Sequence, residues 1–176
     1  MDSSTEKTCG TAHCPDGGKP CFSAFRTVRW LLSAVALTVY SIAYDWLVHG
    51  SLLLDFYGKT PAHLWRTPEE MGTLFPFCFV LPLILALVIS TGYRKLHKKM
   101  MKQQQTGCGG VTRKSIGYGL WTGMLIGAVE AKSYLYMPIP GSVAAVWFAV
   151  ETLKGIGTGL VLAAVYQSMK SKATSV

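Results

Sequence analysis

The sequence predicts an all-α integral membrane protein, a bundle of four transmembrane helices with both termini in the cytoplasm. Composition is the first indication, because 50% of the 176 residues are hydrophobic and only 15% are charged. A soluble domain usually contains about 25% charged residues. The other two indications are four long apolar segments and the distribution of lysine and arginine around them.

Each apolar segment reaches the roughly 20 residues that a spanning helix needs. The segments cover residues 28–54, 68–97, 115–137 and 142–167. The first is not expected to be a signal peptide, because it is too long, starts well inside the chain and precedes no small-residue cleavage site. We therefore predict a membrane domain at 28–168, between a flexible cytoplasmic tail at 1–27 and a short cytoplasmic tail at 169–176.

Lysine and arginine set the predicted orientation, because they accumulate on the cytoplasmic side of a membrane. They concentrate in the N-terminal tail, between the second and third segments, and at the C-terminus, whereas only Lys59 and Arg66 fall in the predicted outer loops. Topology and anionic lipid headgroups thus explain the formal net charge of +8. Basic residues without interleaved aromatic residues do not predict nucleic-acid binding.

Local signals place the start of the second helix. Residues 67–70, Thr-Pro-Glu-Glu, have the Thr-x-x-Glu form of a capping box with proline at the first helical position. We expect the helix to begin at Pro68. Pro76 and Pro82 lie inside the same segment and are expected to kink it, either for packing or to open a cavity.

Ionisable residues inside the predicted spans are the strongest indication of function, because charges in lipid are costly and usually functional. Asp45 and His49 lie one helical turn apart on a polar stripe of the first helix. Glu130 lies on the third helix, and Glu151 and Lys154 lie on the fourth. A rise of ~1.5 Å per residue places the three carboxylates at one depth, ~5–6 Å to the outer side of the bilayer centre.

Two interpretations of these residues stay open. In the first, they are ion pairs that fix helix register: Glu151 with Lys154, and Asp45 with His49 or Lys132. In the second, the carboxylates line a hydrated path or a small pocket for a proton, a cation or a polar solute.

Metal ions have two candidate sites. His49 with Asp45 and Glu130 offers ligands for a divalent ion if the helices converge. The N-terminal tail offers a soft-metal or redox-sensitive site, with an unstructured tail as the alternative, in Cys9, Cys14 and Cys21. The spacing of these cysteines matches no paired Cys-x-x-Cys zinc pattern. No other cofactor is expected.

Small residues predict where helices approach one another closely. Gly119, Gly123 and Gly127 recur at every fourth position of the third helix and form a groove that Glu130 continues, and Gly155 lies on the fourth helix. Such a groove admits a neighbouring backbone. We expect it either to help build a homo-oligomer or to dock a helix of a partner membrane subunit.

Catalysis is not expected. The chain lacks the Gly-x-Ser-x-Gly elbow, the phosphate-binding Gly-Lys-Ser/Thr loop, the His-Glu-x-x-His zinc motif and the Cys-x-x-Cys-His haem attachment. The glycines at 155, 157 and 159 lie within a predicted spanning helix rather than after a strand, so they do not indicate a dinucleotide loop.

Several motifs are similar to those of a known family. The most specific are Asp-x-x-x-His-Gly at 45–50, Leu-Trp-Arg at 64–66 and Tyr-Met-Pro-Ile-Pro at 136–140. Over about residues 30–167 the chain resembles small bacterial four-helix integral membrane proteins of unknown function. The resemblance implies four spanning helices in the bacterial inner membrane and marks a set of residues without giving them roles: Asp45, His49, Trp65, Arg66 and Glu151.

Two functions are compatible with these features. The first is a small transporter, or an ion- or proton-conducting protein, that uses the cluster of carboxylates. The second is a non-catalytic accessory or assembly subunit of a larger membrane complex. We favour transport, because several acids at one depth are costly for docking alone. The expected partners are the lipid bilayer and either further copies of this chain or partner membrane subunits.

Overall fold

The computed structural model describes residues 20–61, 64–103 and 108–174, and all the regular secondary structure in these ranges is helical. Three helical segments are long and apolar enough to cross a membrane: Thr27–Leu52, Phe77–Lys99 and Gly141–Ser168. The prediction of an all-α protein is confirmed, with three helices of the length and apolarity that a membrane span needs. The predicted third span is also a long helix, at Cys108–Ala131, but it is not among these three, so the count of four spans stays a prediction.

The chain forms six α-helices within the described ranges. In chain order they are α1 (Pro20–Leu47), α2 (Leu54–Gly58), α3 (Pro68–Leu74), α4 (Phe77–Gln103), α5 (Cys108–Ala131) and α6 (Gly141–Thr174). A π-helical turn at Val48–Leu52 follows α1, and a 3₁₀ helix at Lys132–Leu135 follows α5. Helix α1 therefore includes the last part of the predicted N-terminal tail.

The predicted second span consists of two helices. The capping box is confirmed: the Thr67 side chain accepts from the Glu70 amide at 3.3 Å, and the Glu70 carboxylate accepts from the Thr67 amide at 2.9 Å. Helix α3 then ends before Pro76, because proline lacks an N–H and crowds the preceding turn. Pro82 is accommodated inside α4. The two prolines thus differ: one separates two helices, and the other lies within a helix.

Helix α6 lies between α5 and α1, and α1 also packs along α4. The central cluster of buried apolar residues comes from α1, α4 and α6, and Tyr118 of α5 packs against it. The cluster consists of Leu37, Ala86, Tyr93, Leu162 and Tyr166. Large apolar side chains on the outside stay exposed, among them Val39 at 63%, Val88 at 64% and Leu125 at 63%. An apolar outer surface of this extent is suited to lipid or to other membrane helices.

One end of the bundle is closed by aromatic side chains, and we call it the tyrosine end (Tyr93, Tyr118 and Tyr166). The ring of Tyr93 lies 5.5 Å from that of Tyr118 and 5.0 Å from that of Tyr166. Its hydroxyl lies 2.5 Å from Ser115 Oγ. Tyr93 itself has no exposed surface, so this end of the bundle is tightly filled.

Candidate functional site

Two tyrosines hold α1 in register against α6. The Tyr44 hydroxyl donates to the Val150 carbonyl at 3.0 Å, and the Tyr40 hydroxyl donates to the Lys154 carbonyl at 3.1 Å. The donors and the acceptors are each four residues apart, so matching turns of the two helices are joined. Gly157 makes room for the ring of Tyr40, which a Cβ at that position would strike.

This register brings two carboxylates to one ammonium group. Lys154 Nζ lies 2.7 Å from Asp45 Oδ1 and 2.9 Å from Oδ2, with hydrogen-bond geometry at Oδ2. The same Nζ donates to Glu151 Oε1 at 3.1 Å. The Glu151 side chain is 4% exposed and that of Lys154 is 12% exposed, whereas Asp45 is 36% exposed. Two buried or half-buried acids thus share one cation, which leaves an excess of negative charge.

The pairing differs in one respect from the ion pairs that the sequence suggested. Glu151 does pair with Lys154, but Asp45 pairs with Lys154 as well, not with His49 or Lys132. Lys132 follows the end of α5 and is exposed, and it forms no ion pair within the described ranges.

The π-helical turn places His49 beside the charged residues. The Leu53 amide donates to the Val48 carbonyl at 2.8 Å, five residues back, so the turn is one residue wider than an α-helical turn. Such turns often occur at functional sites. His49 Nδ1 lies 2.6 Å from the hydroxyl of Tyr57, and the two rings stack with an interplanar angle of 7°.

Tyr57 belongs to an aromatic cap formed by Tyr57, Trp65 and Trp147. The Trp147 indole N–H donates to the Tyr57 hydroxyl at 3.1 Å, and the Trp65 ring lies 5.1 Å from that of Tyr57 and 6.5 Å from that of Trp147. Burial raises the pKa of Tyr57, as does the charge of Glu130, whereas the Trp147 hydrogen bond lowers it. The net effect is a pKa raised above the usual tyrosine value, with burial as the largest cause.

Below the aromatic cap lies a cavity of about 370 Å³, which we call the charged cavity. Its lining residues are Asp45, His49, Glu130, Ser133, Trp147, Glu151 and Lys154. The structure therefore brings together all five ionisable residues that the sequence singled out. Glu130 faces the others from α5 and forms no ion pair or hydrogen bond with any described residue.

A smaller crevice of about 20 Å³ also borders Glu151 and Lys154. Its polar lining includes Ser41, one turn before Asp45 on α1, and Thr158, one turn after Lys154 on α6. The crevice therefore lies toward the tyrosine end. Its volume admits about one water molecule. Glu151 and Lys154 thus stand between a large cavity and a narrow polar crevice.

The predicted glycine groove is filled by the chain itself. A Cβ on Gly123 would lie 2.5 Å from the Glu151 carbonyl oxygen and 2.8 Å from the Gly155 Cα. Gly119 likewise abuts Gly155, and a Cβ on Gly127 would lie 2.9 Å from the carbonyl oxygen of Phe148. The occupant of the groove is α6, so the groove is not open to a second copy or to a partner helix. This contact between α5 and α6, the glycine seam, sets Glu130 across the cavity from Glu151.

A metal ion would meet a competing charge in this cluster. Asp45, His49 and Glu151 each offer one ligand atom within 4.8 Å of the others, whereas the sequence had suggested Glu130 as the third ligand. The ammonium of Lys154 already lies between the two carboxylates. Of the N-terminal cysteines, Cys9 and Cys14 lie outside the described residues, as does the side chain of Cys21.

The sequence did not identify Tyr40, Tyr44 or Tyr57 as members of the site. In the sequence, nothing distinguishes Tyr40 and Tyr44 from other residues of a spanning helix, although their spacing of four places them on one face. Tyr57 lies on the five-residue helix α2, which is too short to show a periodic pattern. Comparison of the chain with known protein families, with curated proteins and with solved structures finds no match.

Proposed function

We propose that this protein crosses the bacterial inner membrane four times, with α5 as the fourth span and both termini in the cytoplasm. The glycine seam supports a membrane position for α5. Helix α5 packs closely along α6 there, and α6 is long and apolar enough to span a membrane. The clustering of lysine and arginine supports the orientation. The bacterial location is supported by the resemblance to small bacterial membrane proteins in the motifs at 45–50, 64–66 and 136–140.

The function that we propose is transport: the protein binds a proton or a small cation in the charged cavity and conducts it across the membrane. The observation that carries the proposal is a cavity of about 370 Å³ lined by three carboxylates and a single lysine, next to membrane-spanning helices. Charges at such a position are costly and are typical of ion and proton pathways. A purely structural ion pair needs neither the cavity nor Glu130.

The small crevice supports a direction for the path. A cation enters at the aromatic cap, exchanges contacts with Glu130 and Glu151, and leaves by way of the crevice at Ser41 and Thr158. The tyrosine end closes the bundle beyond the crevice, so passage requires α1 and α4 to move against α6. Lys154 offsets part of the carboxylate charge when no substrate is bound. Catalysis has no part in this proposal.

An accessory or assembly subunit of a larger membrane complex is the second candidate. It is favoured by the exposed apolar face of α4, where Leu81 is 60% and Val88 64% exposed. A partner membrane subunit or a second copy of the chain would cover such a face. The filled glycine groove removes a surface that was expected to serve both candidates: it was to dock a partner helix in this one and to build a homo-oligomer in the transport proposal.

The transport proposal is tested in proteoliposomes with two isosteric variants, Glu130→Gln and Glu151→Gln. Fluxes of protons and of small cations down imposed gradients are followed with pH-sensitive and potential-sensitive dyes. We expect wild-type flux above that of empty liposomes, and both variants to insert normally but to lose this flux. The matched control is Glu69→Gln, an exposed acid on α3, which should behave as wild type. Unchanged flux in both cavity variants contradicts the proposal.

A further inference from the structure

The charged cavity contains acceptor oxygens that the protein leaves without partners. Glu151 is 3% exposed, and its hydrogen bond with Lys154 uses Oε1 alone. Its Oε2 has no hydrogen-bond partner among the described residues, and neither has the carboxylate of Glu130 on the facing helix. Glu130 and Glu151 both line the charged cavity, so these oxygens are open to a ligand in it.

A bare metal ion does not suit this arrangement. The Lys154 ammonium lies within 2.7 Å of Asp45 and 3.1 Å of Glu151, the two carboxylates that a metal would need. A divalent ion would be repelled by this charge or would have to displace it. The cavity is also too large for a single ion, because about 370 Å³ falls in the range of sites for small organic molecules.

Charge and aromatic lining together define the class of ligand. Three carboxylates face one lysine in the cavity, so a cationic ligand improves the charge balance. The ring of Trp147 also lines the cavity, and its N–H is engaged by Tyr57, which fixes its orientation. An indole face attracts organic ammonium groups, including quaternary ones.

We infer that the charged cavity is the binding site for a small organic ammonium ion. Glu130 and the free oxygen of Glu151 bind the cationic group, and the Trp147 ring packs against its carbon atoms. The inference rests on the proposed transport function and specifies its substrate class. Two positive charges on one ligand match the excess of carboxylates better than one, so a diamine should bind more tightly than a monoamine.

Binding to the full-length protein in nanodiscs tests this inference by titration calorimetry at constant ionic strength. The probes are 1,4-diaminobutane, tetramethylammonium and Mg²⁺. We expect saturable binding of the two organic ions, with the diamine tighter, and no binding of Mg²⁺. Glu130→Gln should weaken the binding of diaminobutane at least tenfold, and Trp147→Leu should weaken the binding of tetramethylammonium at least fivefold. Glu69→Gln should change neither affinity.

Variants are compared only after their thermal unfolding midpoints have been matched to wild type, and Trp147→Phe replaces Trp147→Leu if the latter is unstable. Saturable binding of Mg²⁺ without binding of either organic ion overturns the inference, as does ammonium binding that Glu130→Gln leaves unchanged. Proton flux that depends on Glu130, without any ammonium binding, overturns the substrate class while leaving transport intact. Ammonium binding without any flux supports the binding site and contradicts the transport proposal.

Discussion

Helix α6 makes two very different contacts on two of its faces. Toward α5 it forms the glycine seam, where backbones touch and almost no side chain intervenes. Toward α1 it forms an interface of two tyrosine hydrogen bonds and the ion pair between Lys154 and Asp45, which we call the α1 interface. The glycine seam requires residues without side chains, whereas the α1 interface requires particular polar atoms.

The difference indicates how the protein separates stability from function. The seam has no polar side chain to exchange with a substrate, so its role is to fix the distance between Glu130 and Glu151. The α1 interface contains the ion pair between Asp45 and Lys154, and Lys154 also pairs with Glu151 within α6; all three residues border the charged cavity. Movement that opens a path is therefore expected at the α1 interface and not at the seam.

The largest effect is expected when the α1 interface loses its cation. Lys154→Met leaves Asp45 and Glu151 without their partner, and removal of one member of a buried pair costs ~3–5 kcal/mol. The free energy of unfolding in detergent measures this loss. Lys132→Met, which removes an exposed lysine outside any described ion pair, is the control and should cost little.

A triple variant distinguishes charge from packing at the same position. If uncompensated charge causes the loss, Lys154→Met combined with Asp45→Asn and Glu151→Gln should recover most of the stability. If the triple variant stays as unstable as Lys154→Met alone, the α1 interface depends on the lysine stem and not on the ion pairs.

An intermediate effect is expected when the seam gains an atom. In Gly123→Ala the new methyl group meets backbone atoms of α6 that cannot rotate away, and overpacking of this kind costs ~1–3 kcal/mol. Thermal unfolding measures the effect. Gly117→Ala on the same helix is the matched control, because a Cβ there meets nothing within 4 Å. Equal thermal unfolding midpoints of the two variants would show that the seam has room for a methyl group at position 123.

The smallest effect is expected from one hydrogen bond of the α1 interface. Tyr44→Phe removes the bond to the Val150 carbonyl at a cost of ~0.5–1.5 kcal/mol. Because the bond fixes register near Glu151, cation flux should fall along with stability. Tyr134→Phe, which changes an exposed tyrosine, should alter neither property. A Tyr44→Phe protein with wild-type stability and flux would remove the register role from this contact.

Sequence periodicity predicted the parts of this protein that repeat along a helix. The start of α3 followed from its capping box, and the polar stripe from the spacing of Asp45 and His49. Glycines at every fourth position predicted a close backbone approach, but its occupant is α6 and not the expected second copy or partner helix. Convergence of those residues with Glu130 and Glu151 was inferred from depth alone, and the structure places them around one cavity.

Other features could not be predicted, for identifiable reasons. The pairing of Asp45 with Lys154 joins residues 109 positions apart, and a single sequence does not specify such a contact. The π-helical turn at His49 leaves no pattern of its own. The break at Pro76 and the inclusion of Pro82 in α4 depend on packing around each proline. The aromatic cap joins Tyr57 on the short helix α2, Trp65 in the connection before α3 and Trp147 on α6, which is far from the other two in sequence.

We predict that Glu130 serves function and not stability. This prediction is tested by measuring cation flux and the thermal unfolding midpoint of Glu130→Gln in the same proteoliposome preparation as wild type. Glu130 forms no ion pair or hydrogen bond with the described residues, so we predict an unchanged midpoint and flux no higher than in empty liposomes. Wild-type flux at an unchanged midpoint would contradict the account.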